Sequence, residues 1–472
     1  MSVGTQCLTC IVRGWYLLTS PGGRGGSTAW FGGFWAFLKH YLDDRFGALE
    51  YCMSAESSLN LHAGDTTIPT QIIILTKKES NTRVELLHKT SIFLGTDQKN
   101  FPTDIETING VPVMPVINSL CRLTPSYFHN NPRNVEVILK LTSLPVAEIS
   151  RTLLKFEALA AAEKLIGAFQ HLKEESKASQ IQKDLEAAGY VVNPTNPFKT
   201  YEPQLVGQRI SSPYAGRIKL QWNLMREEIV KIMPEAPGLG EEQSRTMDNI
   251  WETYKQDAYH SLSIEGYHVT EELIEKIGNG KWDPGHSDAD KKHKDAMAAI
   301  GYFNSFQAVT KSIEKIFKNE NPGQILENDL QTWYRELFSP LLQANLLPAE
   351  RLAGYRNQQV YITSSRHVPP PRTAILDCME VFFDLLKNEP SAMVRSILGH
   401  FIFVYIHPYM DGNGRIGRFI MNLMLVSGGF NWTVLRVGRR AEYMAVLEKA
   451  STEENIIPFT EFVLSELMHW KD

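Results

Sequence analysis

The sequence predicts a multidomain protein: an α/β N-terminal region followed by an all-α C-terminal core that carries one small β-hairpin. Three observations predict it. Short apolar runs bounded by turn residues crowd the first 150 residues or so. From about residue 217 onward, apolar residues recur at three- and four-residue spacing with few breaks. Between these regions, residues 191–216 collect Pro, Asn and Ser and read as linker. The expected division is residues 1–150, an α/β domain; 151–216, a helical connector and linker; 217–300, a helical region; and 301–472, a helical core.

Taken in order, Gln71–Thr76 (QIIILT) and Arg83–Leu87 read as strands, and Gly22–Ser27 (GGRGGS) as a loop. The stretch TLLKFEALAAAEKLIGAFQHLKEE is rich in Ala, Leu, Glu and Lys, which predicts helix within residues 150–190. Asp283–Lys292 (DPGHSDADKK) is polar throughout and reads as an exposed loop. Val360–Pro371 (VYITSSRHVPPP) reads as a short hairpin followed by a proline stop.

Composition narrows the class. A net charge of -5 with 43% hydrophobic residues is that of an ordinary globular protein, not of a general nucleic-acid or membrane-surface binder. No apolar run approaches the ~20 residues that span a bilayer. Arg13 and Gly14 interrupt the only N-terminal apolar stretch, so no signal peptide is expected. The five cysteines (Cys7, Cys10, Cys52, Cys121, Cys378) are odd in number and scattered, which fits a reducing cytoplasm. Cys7 and Cys10 have the spacing of half a zinc site, but no second pair completes it.

The chemistry concentrates in His407–Arg418, HPYMDGNGRIGR, between two apolar helices. Gly412 and Gly414 permit positive φ and let consecutive N–H groups converge at the start of a helix, a natural anion site. Arg415 and Arg418 share a helix face and suit separate phosphates. Asp411 suits a divalent cation bridging two phosphates. His407 is the side chain suited to act as a base near neutral pH, and Pro408 fixes how it leaves the preceding helix. Together they imply phosphate-bond chemistry.

This motif resembles that of the Fic family, HPFx(D/E)GN(G/K)RxxR, at every defined position except Tyr409, which stands where Phe is usual. That position packs in the core, so the added hydroxyl needs a partner. The resemblance implies an all-α Fic core, with ATP and Mg²⁺ as cofactors and a protein hydroxyl as acceptor of AMP. His407 would be the base and Asp411 the metal ligand. Gly412, Asn413, Gly414 and Arg415 would form the anion hole, and Arg418 would bind the γ-phosphate. Val360, Tyr361, Ile362 and Thr363 look like the family's flap, which docks a target by strand pairing. Arg440 and Tyr443 lie where the family contacts the nucleoside, although Tyr443 reads equally as a core aromatic. Gly414 and Arg418 favour AMP transfer over the phosphate or phosphocholine transfer of some relatives.

Ser261–Gly266 (SLSIEG) matches the family's inhibitory motif (S/T)xxxE(G/N). It ends an expected helix, and another begins near Thr270, a suitable N-cap. The resemblance is to the class II members, whose inhibitory helix precedes the core. It implies that Glu265 pairs with Arg418 and competes with the γ-phosphate, with Ser261 and Gly266 completing the motif. In some of those members the same Glu helps to remove AMP from the target.

Residues 10–150 look like the AbiEi family of antitoxin and regulator domains, through phrases such as SLNLH and YLLTSP. Those proteins place a winged helix earlier, and this sequence begins near where the wing would lie, so a DNA-reading module is expected to be incomplete. Residues 1–150 hold 12 Lys+Arg against 12 Asp+Glu, which argues against DNA as a partner. His62 and Asp65 read as structural. The leading expectation is an autoinhibited protein adenylyltransferase acting on a Ser, Thr or Tyr hydroxyl of another protein or of itself. The alternative is an antitoxin-like regulator using the core as a nucleotide sensor. No membrane partner is expected, and a homo-oligomer is left open.

Overall fold

A computed structural model of the chain describes residues 7–19, 27–78, 81–98, 101–205, 212–240, 243–279 and 294–469. The loops expected at Gly22–Ser27 (Ser27 apart) and Asp283–Lys292 lie outside these residues. Two compact units emerge: Met1–Leu220 with Tyr361–Val368, and Gln221–Val360 with Pro369–Asp472.

The first unit opens with an antiparallel hairpin, β1 (Cys7–Val12) and β2 (Trp15–Thr19). Helix α1 (Thr28–Phe46) follows, with Trp30, Phe34, Leu38 and Leu42 buried at a spacing of four that places them on one stripe. That stripe packs against a four-stranded mixed sheet built from β3 (Tyr51–Met53), β4 (Gln71–Thr76), β5 (Thr82–Glu85) and β6 (Ser91–Thr96), in the order β3-β4-β6-β5. Strand β4 is where its β-branched run predicts, with Ile72, Ile74 and Thr76 turned inward. It pairs parallel with β6, while β3 and β5 join antiparallel. Helix α2 (Ala55–His62) lies between β3 and β4. The hairpin β7 (Glu106–Ile108) and β8 (Val111–Val113) leads into α3 (Val116–Leu120), α4 (Pro125–Asn130), α5 (Pro132–Leu141), α6 (Val146–Lys155), α7 (Leu159–His171) and α8 (Glu175–Ala187). His62 is a structural histidine: its Nε2 lies 2.8 Å from the Met114 carbonyl. Asp65 accepts from the Thr67 N–H at 3.0 Å, a local turn bond.

Helix α9 (Pro213–Ile232) begins in the first unit and continues in the second from Gln221. The second unit then holds α10 (Gln243–Ile264), α11 (Glu271–Gly278), α12 (Lys294–Ile316), α13 (Pro322–Gln343), α14 (Ile375–Asn388), α15 (Ala392–Ile406), α16 (Asn413–Ser427), α17 (Arg440–Thr452) and α18 (Ile457–His469). Thr270 caps α11 through its hydroxyl, which accepts from Leu273 N–H at 3.3 Å. Helix α15 is apolar nearly all round, α16 carries Arg415, Arg418 and Asn422 on one stripe, and both are buried nearly all round, at the centre of the unit.

The hairpin expected at Val360–Pro371 is absent: among the described residues this segment forms no strand. Residues Tyr361–Val368 group with the first unit instead. There, Ile68 N–H donates to Arg366 C=O at 2.9 Å, Thr67 and His367 form an isolated bridge, and Ser364 N–H donates to Thr28 Oγ1 at 2.9 Å. The physical reason lies in Pro369, Pro370 and Pro371, which lack the N–H donors that a second hairpin strand must supply. Val360, Tyr361, Ile362 and Thr363 therefore lie in irregular chain.

Cys10 is exposed and free, and Cys52, Cys121 and Cys378 are buried and free. Among the described residues no group of His, Cys, Asp and Glu is placed to hold a metal by itself, and no helix is long and apolar enough to cross a membrane.

Candidate active site

Helix α15 ends at Ile406 because Pro408 follows one residue later. His407 takes the left-handed conformation, φ 53° and ψ 58°, while its N–H still bonds Phe403 C=O at 3.0 Å. Its Nδ1 lies 3.1 Å from the Val404 carbonyl. A carbonyl can only accept, so Nδ1 carries the proton and Nε2 keeps the lone pair. Burial pulls the His407 pKa below the ordinary histidine value; Arg356 adds to this, and the Val404 bond, Glu265 and Asp411 oppose it. The imidazole is thus held neutral, the form a base requires.

The loop beyond His407 closes on Asn413. Its Oδ1 accepts from Tyr409 N–H at 3.0 Å and its Nδ2 donates to Tyr409 C=O at 2.8 Å, so this buried amide braces the turn. Gly412 has φ 81°, and a Cβ there would lie 2.7 Å from Phe338 Cε2; conformation and space both demand glycine. The Tyr409 hydroxyl finds the partner it needs in Gln331 Oε1, at 3.2 Å, while its ring stacks on Tyr334 with centroids 3.7 Å apart.

Helix α16 starts at Asn413 and presents its N-terminus to this turn. Asp411 is exposed, and its Oδ1 accepts from Gly412 N–H at 2.6 Å and from Arg415 Nη2 at 3.3 Å. Arg415 is fully buried between the rings of Tyr267 and Phe338, each centroid 5.1 Å from its Cζ. Its Nε and Nη1 have no hydrogen-bond partner among the described residues. Buried unsatisfied donors cost about 1–3 kcal/mol each.

Arg418, also buried, is bonded through Nε and Nη2 to the C-terminal end of α10 and the residue just beyond it. Its Nε donates to Ser261 Oγ at 2.8 Å, and its Nη2 donates to Ser261 C=O at 3.1 Å and to Glu265 Oε1 at 2.7 Å. Burial works against the charge on Arg418, but Glu265 outweighs it and raises the pKa. Helix α10 then stops at Gly266, φ 85°, where Tyr267 N–H reaches back to Leu262 C=O at 3.1 Å. The Glu265 carboxylate lies so close to Gly414 that a Cβ there would run into Oε1.

The residues expected at the nucleoside have internal partners. Tyr443 is 2% exposed and its hydroxyl lies 2.7 Å from His400 Nε2, which is how a core aromatic sits. Burial pushes His400 down to about 3, with Arg418 adding to it. Arg440 Nε donates to Ile264 C=O at 2.6 Å and so ties the end of α10 to α17.

Several site residues carried no motif. Asp257 lies one and two turns before Ser261 and Glu265 on the same face of α10, a spacing that could have revealed it. It is buried, accepts from the Tyr302 hydroxyl at 2.6 Å, and is pushed up to about 6 by burial. Tyr267, Phe338 and Arg356 reach the site through space, and no sequence pattern marks them.

Residues 324–425 match the model of the Fic/DOC family, so this stretch, which includes the whole of His407–Arg418, is a Fic domain. The chain is 33% identical over 222 residues to the protein adenylyltransferase Fic of Nematostella vectensis, covering 45% of this chain and 47% of that one. It is 24% identical over 241 residues to a probable protein adenylyltransferase of Aquifex aeolicus, covering 46% and 68%. The chain therefore spans about half the length of the first of these curated relatives. Among solved structures, it is similar to Fic-1 (residues 134–508) from C. elegans, with 18% identity, 72% and 90% coverage and a TM-score of 0.39.

Proposed function

We propose that the second unit transfers AMP from ATP to a hydroxyl of a protein, and that Glu265 restrains the reaction. In this reading Nε2 of His407 takes the proton of the acceptor hydroxyl. The freed oxygen bonds the α-phosphorus, the bond from that phosphorus to the bridging oxygen breaks, and pyrophosphate leaves. The α16 N-terminus and the free donors of Arg415 bind the phosphate oxygens, and Arg418 binds the γ-phosphate.

A single exposed carboxylate, Asp411, fits a Mg²⁺ ion that takes its other ligands from phosphates and water. When bound, the ion would neutralise charge on the polyphosphate.

The observation that carries the reading is an imidazole whose Nδ1 is committed to Val404 C=O, just before a helix N-terminus that also carries an arginine bonded to a glutamate. The names of the relatives, protein adenylyltransferases, support it. Competition supplies the restraint: the γ-phosphate and Glu265 need the same guanidinium. Removing one partner of a partly buried pair is worth a few kcal/mol, and ~1.4 kcal/mol is tenfold in occupancy. The acceptor is a protein bearing a Ser, Thr or Tyr hydroxyl, this chain included. Incubating Glu265→Gly with ATP, Mg²⁺ and a lysate, then mapping adenylyl groups by mass spectrometry, tests the reading. Labelling that requires His407 supports it, and labelling that survives His407→Ala contradicts it.

A further inference from the structure

We propose that Arg356 is a positioning residue for the proposed base: it fixes the peptide plane behind His407 and so aims the imidazole. The proposal rests on the reading of His407 as that base.

His407 sits in the left-handed region, φ 53°, which costs a residue with a Cβ about 1–2 kcal/mol. Two bonds at His407 run back into α15, from its N–H and from Nδ1. Neither fixes the chain beyond it, and Pro408 offers no N–H. Arg356 receives both carbonyls that follow. Its Nε donates to His407 C=O at 2.8 Å, and its own main-chain N–H donates to Pro408 C=O at 2.8 Å.

The rest of the guanidinium ties two more points of the same unit. Nη1 donates to Gln358 C=O at 2.9 Å, and Nη2 donates to Pro370 C=O. One rigid plane thus joins His407 to the two chain segments that flank residues 361–368. A planar fork with three fixed acceptors sets a direction, which a lysine ammonium, a single point on a flexible stem, cannot do.

The setting argues for geometry over charge balance. Arg356 is 4% exposed, and among the described residues no carboxylate pairs with it. Burial pushes its pKa down to about 10, so the chain tolerates an unfavourable cation here. All four bonds go to main-chain carbonyls, and two of them belong to the turn that carries the base. The positive charge has a second effect on His407, favouring its neutral form against Glu265 and Asp411.

The test compares Arg356, Arg356→Lys and Arg356→Met, each in the full chain carrying Glu265→Gly. With Arg356→Met, kcat for AMP transfer should fall about tenfold to a hundredfold while KM for ATP moves less than about twofold. Arg356→Lys should recover part of kcat. A second readout needs no activity: the ¹³C and ¹⁵N imidazole resonances of His407, assigned by their loss in His407→Ala. They should titrate at higher pH in Arg356→Met than in Arg356→Lys and lose the Nδ1–H tautomer signature. Unmoved resonances in a folded Arg356→Met protein, or kcat equal to the parent, would overturn the proposal. If the parent transfers no AMP yet the resonances shift as stated, the functional reading fails and the positioning stands. If Arg356→Met does not fold, Arg356→Lys decides: a kcat and tautomer equal to the parent would overturn it.

Discussion

His407 has one ring nitrogen committed to Val404, and if its other nitrogen is the proposed base, that asymmetry yields a pH prediction. A base works when deprotonated, and burial holds this imidazole below the ordinary histidine pKa of about 6.5. The rate of AMP transfer by Glu265→Gly should therefore rise through an acid limb that ends below that value and stay level across neutral pH; a limb centred above pH ~7 would contradict the geometry. Asp257 gives a second. Its carboxyl has a raised folded pKa, about 6 against 3.8, so the native state holds the proton more tightly than the unfolded chain does. Its contribution to stability is present below the unfolded pKa and is lost as pH rises through about 6. Melting curves from pH 4 to 7 should show Asp257→Asn losing less stability with rising pH than the parent. At this scale the sequence was most legible where the site is contiguous. His407, Asp411, Gly412, Arg415 and Arg418 fall within one turn and one helix start, so their spacing alone brings them together. Asp257, Tyr267, Phe338 and Arg356 arrive by tertiary packing, and Tyr443 was ambiguous because a buried tyrosine and a stacking tyrosine look alike in sequence.

Among the elements, α10 has the most to test. It places Ser261 on the face that meets Arg418 and delivers Glu265, the residue just past its end, to the same guanidinium, and Arg440 holds its last carbonyl. Glu265→Gly should raise AMP transfer about tenfold or more over the parent, and Ser261→Ala should raise it less, as measured with labelled ATP. Gly414→Ala should act in the same direction. A Cβ there meets the flexible end of Glu265, while the main-chain N–H that faces an anion is retained. If Gly414→Ala leaves the parent's low rate unchanged, Glu265 is not held against α16 as described. The helices of the second unit were legible because periodicity and caps act locally: Thr270 caps α11, and the apolar runs around the motif are α15 and α16. The hairpin at Val360–Pro371 was misread because β-branched residues and turn residues signal a strand pair, whereas the prolines deny the second strand its donors. Those donors and acceptors are met by Thr28, Thr67 and Ile68, remote in sequence.

For the molecule as a whole, sequence texture separated a mixed N-terminal region from a helical remainder, and the strand β4 was readable from its isoleucines. The sheet order β3-β4-β6-β5 was not, since side-chain alternation names a strand's faces but not its neighbours. Ligand linkage offers a test on the intact chain. ATP with Mg²⁺ should raise the melting temperature of Glu265→Gly more than that of the parent, because stabilisation follows the logarithm of ligand over Kd and the proposed competition by Glu265 would raise Kd. The most direct measurement is the mass of the intact protein and of labelled lysate proteins after incubation with ATP and Mg²⁺. It is made for the parent, Glu265→Gly, and Glu265→Gly with His407→Ala. Adenylyl mass on a protein in the second sample, little in the first and none in the third is the predicted result. Equal labelling in all three would contradict it, and so would phosphate or no mass gain in the second.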